Sequence, residues 1–272
     1  MDITNLKLEN LKENLRNIKS AIIAFSGGVD STFLLKVAHD ILEDKIISVT
    51  AASSTYPKRE LEEAKKYAKS IGVRHIIIQS EELDIKGYKE NPVGRCYYCK
   101  KELFSKLKKI AEENNVAYIL DGANLDDTKD FRPGMKAAEE LGILSPLKEA
   151  ELTKEDIRNL SKKMGLPTWN KPSFACLSSR FPYGNEINIQ KLKMVEDAEQ
   201  FLLDLGFKQV RVRHHNEIAR IEVDPEERYK FFNVNLMDKI GKKLKEIGFT
   251  YVTLDMLGYK TGSMNAVLKN SK

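Results

Sequence analysis

One short segment near the start of the sequence restricts the fold of this chain more than any other. Residues 26–31 are SGGVDS; they follow the apolar, β-prone run KSAIIAF and precede a stretch whose apolar residues recur at helical spacing. Two adjacent glycines allow a sharp turn between a strand and a helix, and such a turn directs backbone N–H groups at a bound anion. The segment therefore predicts a strand–turn–helix unit with a phosphate site in the turn.

The region from about residue 20 to 165 alternates β-type runs with helical patterns. This order is typical of an α/β fold, a doubly wound parallel sheet with helices on both faces, whose ligands bind beyond the carboxyl ends of the strands. The predicted strands are Ala21–Phe25, Ile46–Ala51, His75–Gln79 and Ala117–Asp121, and the predicted helices cover 31–43, 57–71, 101–114, 134–141 and 153–164.

The pattern changes after residue 165, where LPTWNKPSFACLSSRFPYGN is rich in Pro, Ser and aromatic residues and has no clear period. The predicted elements beyond it are a helix at 188–205, strands Gln209–His214 and Glu217–Val223, a helix opened by Pro225, and a strand Phe249–Leu254. We predict three parts: a first domain (1–170), an active-site loop (171–187) and a small antiparallel α+β domain (188–272).

Composition narrows the class of protein. Of 272 residues, 42% are hydrophobic and 31% charged, and no apolar run approaches the roughly 18 residues of a membrane span. The N-terminal segment lacks the apolar core of a signal peptide, so we expect a cytoplasmic protein. Its net charge of +5 is too small to distinguish anionic small molecules from nucleic acid. In a reducing compartment, three cysteines indicate metal ligands or reactive thiols rather than disulfides.

The SGGVDS segment is not a Walker A loop, because no Gly-Lys-Ser/Thr sequence follows that would bring a lysine to the terminal phosphates. It resembles the PP-loop of ATP pyrophosphatases, which split ATP between the α and β phosphates and adenylate a substrate; the alternative is an incidental turn. The resemblance implies that Asp30 positions Mg²⁺ and that adenine lies across neighbouring strand ends. The predicted ATP-binding residues are Ala24, Phe25, Ser26, Gly27, Gly28, Asp30, Ser31, Thr50, Ala51 and Gly122.

The cysteines form two separate features. Cys96 and Cys99, in GRCYYCK, are expected on a loop and suit a redox pair, half of a zinc site, part of an iron–sulfur site, or two structural cysteines. A zinc site would need two more ligands, and the spacing of the histidines supplies none. Cys176 lies beside Ser178, Ser179 and Arg180, a polar and positive setting that favours a thiolate, although a lone cysteine is more often inert.

The segment QVRVRHHNEIARIEV, residues 209–223, carries two arginines with strand spacing. On a strand, Arg211 and Arg213 point to the same face. Paired guanidinium groups suit a phosphate or a carboxylate, and the alternative is an exposed charged strand.

Taken together, SGGVDS, DGANLDD, ACLSSRFPYG, RVRHH and GYKTGSMN resemble the LarE family of ATP-dependent sulfur transferases, over about residues 15–265. The resemblance implies adenylation of a carboxylate of pyridinium-3,5-biscarboxylic acid mononucleotide and its conversion to a thiocarboxylate, a precursor of the nickel-pincer nucleotide cofactor. Asp30 and Cys176 would be catalytic, and Arg211, Arg213 and Arg180 would bind the substrate phosphate. We also expect a sulfide donor and a homo-oligomer, with neither nucleic acid nor membrane as partner.

Family members differ in the source of sulfur. In one type a single cysteine, matching Cys176, gives up its own sulfur and becomes dehydroalanine. This sequence departs from that type by adding Cys96 and Cys99. The cluster-containing type has this three-cysteine set, so the resemblance implies a four-iron four-sulfur cluster bound by Cys96, Cys99 and Cys176, with one open iron that could carry sulfide. We favour this type.

Three other functions compete with this interpretation. A tRNA-thiolating enzyme shares the PP-loop but should show a basic RNA-binding extension or a zinc ribbon, and the sequence has neither. An amidotransferring synthetase would typically bring a glutaminase domain, of which there is no sign. A nucleotide-binding module without activity would not turn over ATP when substrate is present.

Overall fold

A computed structural model describes residues 3–129 and 133–265. The chain divides into two compact units. The first consists of the residues up to Glu82 together with Gly94–Phe174, and the second consists of Leu83–Val93 and the residues from Ala175 onward. The segment 83–93 therefore leaves the first unit, packs in the second and returns.

A parallel sheet organises the first unit. Within the described residues it has four strands, in the order β3-β2-β1-β4: β1 (Ala21–Ala24), β2 (Ile46–Ala52), β3 (Arg74–Gln79) and β4 (Tyr118–Leu120). Every neighbouring pair is parallel, so the carboxyl ends of all strands lie at one edge. The predicted parallel sheet is confirmed. Burial on both faces accounts for the apolar runs of β1 and β2, whereas the edge strand β3 is partly exposed.

Helices cover both faces of this sheet. Their bounds are α1 (Ile3–Arg16), α2 (Val29–Leu42), α3 (Lys58–Ile71), α4 (Arg95–Glu113), α5 (Pro133–Glu140), α6 (Pro146–Glu149) and α7 (Lys154–Lys163). Neighbouring residues of β1 enter different cores: Ile23 packs with Leu34 and Ile157, whereas Ile22 packs with Phe104 and Leu107. Because successive strand residues point to opposite faces, these two cores are the two layers of the doubly wound fold that the sequence predicts.

The prediction was wrong at the start of α4. The sequence predicts a loop holding Cys96 and Cys99 and a helix from residue 101, but the helix begins at Arg95, directly after Gly94. The amide of Tyr97 already donates to the carbonyl of Gly94 at 2.9 Å. The aromatic residues and cysteines of this turn have modest helix propensity, and packing of the remainder of the helix overrides it.

The second unit contains a smaller sheet of order β5-β6-β7. Its elements are α8 (Ile189–Asp204), β5 (Val210–His215), β6 (Ile218–Val223), a 3₁₀ segment (Pro225–Phe232), α9 (Val234–Ile247) and β7 (Tyr251–Leu254). β5 and β6 form an antiparallel hairpin, but β6 and β7 are parallel, so the predicted purely antiparallel domain was wrong. The reason is the helical connection between β6 and β7, which returns the chain in the same direction.

The helix predicted to open at Pro225 is divided in the structure. Pro225 begins the 3₁₀ segment, and a separate α-helix starts at Val234 after the cap residue Asn233. In the described part of the chain, no helix has both the length and the apolar character needed to cross a bilayer.

Candidate functional site

The SGGVDS segment forms a tight loop between β1 and α2. Gly27 has φ +61°, a conformation that favours glycine, and a Cβ at this position would lie 3.0 Å from Cα and Cβ of Ala64. The hydroxyls of Ser26 and Ser31 are 3.1 Å apart, and the amide of Ser26 donates to Oγ of Ser31 at 3.3 Å. The loop thus closes around the N-terminus of α2, where a helix attracts anions.

Gly122, from DGANLDD, lies against this helix N-terminus. A Cβ on Gly122 would be 3.2 Å from the amide nitrogen of Ser31. The preceding Asp121 is buried, and its Oδ1 accepts a 2.7 Å hydrogen bond from Ser145. The loop after β4 therefore meets the loop after β1 at the same edge of the sheet, as the sequence predicts for parallel strands.

The strand ends next to the loop differ in what they can offer a nucleotide. Ala24 and Ala51 are half-buried, whereas Thr50 is only 2% exposed. The hydroxyl of Thr50 donates to the carbonyl of Phe25 at 2.7 Å and lies 2.8 Å from Nε2 of His75. Thr50 therefore stabilises the start of the loop, and contact of this residue with adenine stays a prediction.

Asp30 combines an ion pair with an unsatisfied oxygen. Its Oδ2 contacts Nζ of Lys154, the first residue of α7. Among the described residues, Oδ1 of Asp30 is buried and has no hydrogen-bond partner. A buried acceptor without a donor costs free energy, so this oxygen is suited to a cation.

Two side chains hold the loop from the side of α3. The hydroxyl of Tyr56 donates to the carbonyl of Ser26 at 2.8 Å, and Nζ of Lys171 donates to the carbonyl of Gly27 at 3.2 Å. Lys171 also pairs with Glu60 and Glu63. Burial alone would lower the pKa of Lys171, but these two carboxylates outweigh it and raise the pKa. Lys171 therefore stays charged and fixes the loop.

Cys96 and Cys99 lie on the first turn of α4, in the first unit. Residues three apart are neighbours on a helix surface. Cys96 is exposed and Cys99 is half-buried, with Sγ of Cys99 at 3.8 Å from Oε1 of the buried Glu82. Within residues 3–129 and 133–265, no group of three or more His, Cys, Asp or Glu side chains is close enough to hold a metal ion.

Cys176 lies in the second unit, at the start of a 3₁₀ segment (Leu177–Arg180), and is half-buried. Arg180 is fully buried and donates to the carbonyls of Ala175 at 2.6 Å and Cys176 at 3.0 Å. Its guanidinium also binds both carboxylate oxygens of the fully buried Glu199, at 2.8 and 2.9 Å. The backbone on either side of the thiol is thereby fixed to α8.

The contacts of Arg180 point to positioning of the Cys176 segment. Burial alone would lower the pKa of Arg180, but the negative charge of Glu199 outweighs this effect and raises it. Burial alone would raise the pKa of Glu199, but the positive charge of Arg180 outweighs this effect and lowers it, so both groups stay ionised. Binding of the substrate phosphate by Arg180 stays a prediction.

Arg211 and Arg213 lie on β5 and are both buried. Arg213 donates to Glu222 at 2.7 and 3.0 Å and to the carbonyl of Ser179 at 3.0 Å. Burial and the nearby Arg180 charge lower the pKa of Arg211 to about 10. The structure thus gathers Cys176 and the three predicted arginines in one region of the second unit, and β5 is not an exposed charged strand.

The sequence interpretation missed several residues of these sites. Lys154 and Lys171 contact the SGGVDS loop from positions more than a hundred residues away, and Glu199 lies in the middle of an ordinary amphipathic helix. Charged residues at these positions are unremarkable in a sequence with 31% charged residues. Only the folded topology shows that each of them is paired with an opposite charge.

Residues 20–91 match the family model described as queuosine biosynthesis protein QueC. An uncharacterized protein of Synechocystis sp. is 44% identical over 96% of this chain and 98% of its own length. The pyridinium-3,5-bisthiocarboxylic acid mononucleotide synthase of Lactiplantibacillus plantarum is 40% identical over 98% and 96%. An uncharacterized protein of Methanocaldococcus jannaschii is 34% identical over 94% and 97%.

Proposed function

The chain belongs to the LarE family of ATP-dependent sulfur transferases, which includes the pyridinium-3,5-bisthiocarboxylic acid mononucleotide synthase, and on that premise we propose the reaction that it catalyses. It adenylates a carboxylate of pyridinium-3,5-biscarboxylic acid mononucleotide and converts the product to a thiocarboxylate. This reaction belongs to the biosynthesis of the nickel-pincer nucleotide cofactor, and its use of cellular ATP and sulfide fits a cytoplasmic enzyme.

The observation that carries the proposal is the loop between β1 and α2. Its left-handed Gly27, the N-terminus of α2 and the close approach of Gly122 form a compact anion site beside strand ends that can accept adenine. The buried Oδ1 of Asp30, which has no partner within the described chain, fits Mg²⁺, an ion that prefers carboxylate and phosphate oxygens.

The chemistry follows from the leaving groups. A carboxylate oxygen of the substrate bonds to the α-phosphorus of ATP, and the bond from that phosphorus to the bridging oxygen breaks with release of pyrophosphate. Sulfide then bonds to the activated carbonyl carbon, and AMP leaves with the carboxylate oxygen. Adenylation is needed because oxide is a poor leaving group and AMP is a good one.

The second unit supplies the binding groups for the mononucleotide. We assign its phosphate to Arg211 and Arg213, since charge-assisted hydrogen bonds from guanidinium groups are strong and directional. Glu222 and the carbonyl of Ser179 fix the orientation of Arg213. Arg180 contributes by holding the backbone around Cys176 in place.

The sulfur is assigned to a four-iron four-sulfur cluster. The thiols of Cys96 and Cys99, one turn apart on α4, suit two of its ligands, and Cys176 of the second unit would be the third. Such a cluster would supply sulfide for transfer to the activated carboxylate. The alternative is a sacrificial Cys176. The homo-oligomer and the sulfide donor stay predictions.

The proposal is tested by anaerobic incubation with Mg²⁺·ATP, sulfide and the biscarboxylic acid mononucleotide. We expect AMP and pyrophosphate only when the mononucleotide is present, and a product whose mass shows one oxygen replaced by sulfur. Pyrophosphate release that responds to tRNA instead of the mononucleotide would identify a tRNA-thiolating enzyme. ATP binding without any turnover would indicate a nucleotide-binding module without catalytic activity.

A further inference from the structure

The face of the second sheet that carries Arg211 and Arg213 continues to a histidine. His215 is the last residue of β5, two positions beyond Arg213, and alternate residues of a strand point to the same face. The strand therefore places Arg211, Arg213 and His215 in one row. The intervening His214 points to the other face, where its ring stacks on that of Phe181. The proposed function uses the two arginines of this row and leaves His215 without a role.

Two nitrogen atoms at this end of the face are buried without a partner. They are Nε2 of His215 and Nε of Arg220, and neither has a hydrogen bond in the part of the chain that the structure describes. Arg220 lies opposite Arg213 on β6, so it is the diagonal neighbour of His215, at a separation that long side chains can bridge. The Nε–H of arginine can only donate, and a protonated histidine donates from both ring nitrogens. The two atoms are therefore suited to a ligand that brings acceptors.

The charges on this face favour an anion. Glu222 lies opposite Arg211 on the neighbouring strand. It accepts from Arg213 at 2.7 Å and, through its other oxygen, from Arg220 at 3.0 Å. Arg220 also pairs with Asp255, directly after β7, at 3.0 Å. Three guanidinium groups thus face two carboxylates, which leaves the surroundings of His215 positive.

These surroundings keep His215 neutral. Burial lowers the pKa of His215, and the positive charges of Arg220 and Arg213 lower it further. The negative charge of Glu222 acts in the opposite direction and is outweighed. A phosphate dianion bound among the arginines would reverse the sign of the local charge, and a nearby negative charge favours the imidazolium form.

We propose that His215 binds the phosphate of the mononucleotide beside Arg213 and Arg220, and that it takes up one proton from solvent as the phosphate binds. This inference rests on the proposed function, which assigns the same phosphate to Arg211 and Arg213. The imidazolium donates from Nε2 to a phosphate oxygen, and the Nε–H of Arg220 donates to another. Arg213 connects this site to the Cys176 segment through the carbonyl of Ser179, at 3.0 Å.

The test compares two ligands by calorimetry: the biscarboxylic acid mononucleotide and the riboside obtained from it with a phosphatase. The ligands share the pyridinium carboxylates and differ only in the phosphate. The variants are His215→Ala, His215→Gln and His39→Gln, the last a matched control at a half-buried histidine of α2. Glutamine can donate a hydrogen bond at position 215 but cannot take up a proton. Thermal unfolding of each variant checks that the fold is kept.

We expect His215→Ala to weaken mononucleotide binding at pH 7 by about tenfold or more, as for the loss of one charge-assisted hydrogen bond. Its affinity for the riboside should be unchanged, and His39→Gln should match the wild type with both ligands. If His215→Ala binds the mononucleotide as the wild type does, or loses equal affinity for the riboside, the inference is overturned and the proposed function stands. A wild-type protein that binds neither ligand overturns both.

The pH dependence separates a phosphate-binding histidine from a structural one. Between pH 8 and 7 the phosphate is mainly a dianion, because its second pKa is about 6. The wild type should bind the mononucleotide more tightly as the pH falls over this range, because the complex holds one more proton than its separate parts. His215→Gln should bind with intermediate affinity and without this dependence. The same pH dependence in His215→Gln as in the wild type would contradict the assignment.

A further measurement needs no variant. Calorimetry of the wild type at pH 7.5, in two buffers of different ionisation enthalpy, counts the protons taken up on binding. We expect uptake with the mononucleotide and none with the riboside. His214 should not contribute, because burial lowers its pKa to about 4 and no phosphate is assigned to its face of the sheet. No uptake with the mononucleotide would overturn the inference even if the variants of His215 failed to fold.

Discussion

The two carboxylate oxygens of Asp30 are in different situations. Oδ2 pairs with Lys154, whereas Oδ1 is buried and has no partner among the described residues. We predict that Asp30→Ala and Asp30→Asn lower pyrophosphate release by about 10- to 100-fold, the loss of one interaction of a charged group worth about 1.5–3 kcal/mol. AMP binding should persist, because AMP lacks the phosphates that Mg²⁺ would hold.

The matched control for Asp30 is Asp40→Asn on the same helix, whose carboxylate is exposed and pairs with Lys36 one turn away. Its pyrophosphate release should equal that of the wild type. If Asp30→Ala released pyrophosphate at the wild-type rate, Asp30 would not be a catalytic residue.

Arg211 and Arg213 allow a second prediction at the scale of residues. Replacing both with alanine should raise KM for the mononucleotide steeply and leave the affinity for α,β-methylene-ATP unchanged. The expected contribution is about 1.5–3 kcal/mol for each charge-assisted contact. Because Glu222 also pairs with Arg220, loss of Arg213 does not leave that buried carboxylate alone, and the variant should fold.

Steady-state kinetics with varied mononucleotide checks the arginine prediction. Arg228→Ala, in the same unit but bonded to backbone carbonyls of Pro225 and Met256, should behave as wild type. A fall in nucleotide affinity in the double variant would instead place the arginines at the ATP site.

At the scale of elements, α7 depends on Asp156. Its carboxylate accepts from the amide and hydroxyl of Thr153, at 3.1 and 2.8 Å, and from Lys7 of α1 at 2.9 Å. Burial would raise the pKa of Asp156, but the hydrogen bonds from Lys7 and Thr153 outweigh it and lower the pKa to about 2. The cap therefore joins α1 to the helix that begins with Lys154.

The sign of the pH dependence follows from this lowered pKa. The unfolded chain binds the proton near pH 3.8, above the folded value, so the stabilisation is complete above that pH and is lost as the pH falls toward 2. We predict that Asp156→Asn lowers the free energy of unfolding at pH 7 by about 0.5–2 kcal/mol, as for other lost caps. Urea unfolding should show the difference shrinking as the pH falls from 4 to 2, whereas a constant difference would contradict it.

The elements of the first unit could be predicted closely because their apolar periods agree with their surroundings. Strands such as Ile46–Ala52, buried on both faces, are nearly continuous apolar runs, and α2 follows a glycine turn that permits little else. The prediction failed in two places that depend on tertiary packing. One is the first turn of α4 around Cys96, and the other is the direction of β7, which the helical connection makes parallel to β6.

The residues of the candidate site also fall into those that the sequence could predict and those that it could not. Ser26, Gly27 and Asp30 could be found because they are contiguous and their residue types suit phosphate. Lys154 could not be found, since the contact joins residues 124 positions apart. The burial of Arg180 against Glu199 also has no local sequence signal, because a buried ion pair is a property of packing between α8 and the Cys176 segment.

At the scale of the whole molecule, the chain distributes the proposed chemistry over both units. The SGGVDS loop, Cys96 and Cys99 belong to the first unit, and Cys176 and the buried arginines belong to the second. The source of sulfur therefore decides whether the cysteines of both units are needed. A cluster requires all three thiols, whereas a sacrificial mechanism requires only Cys176.

We predict that the protein, reconstituted anaerobically with iron and sulfide, forms several thiocarboxylates per chain and retains an intact Cys176. Cys96→Ala should abolish this repeated turnover, because the loss of one of three thiolate ligands leaves too few to hold the cluster. The exposed position of Cys96 at the start of α4 makes the substitution mild for folding, and formation of pyrophosphate by the variant would show that the ATP site is intact. A sacrificial mechanism gives the opposite pattern: product stops at one per chain, Cys176 loses the mass of H₂S to become dehydroalanine, and Cys96→Ala transfers its single sulfur as the wild type does. Counting product per chain and measuring the mass of the Cys176 peptide in the same sample distinguishes the two mechanisms.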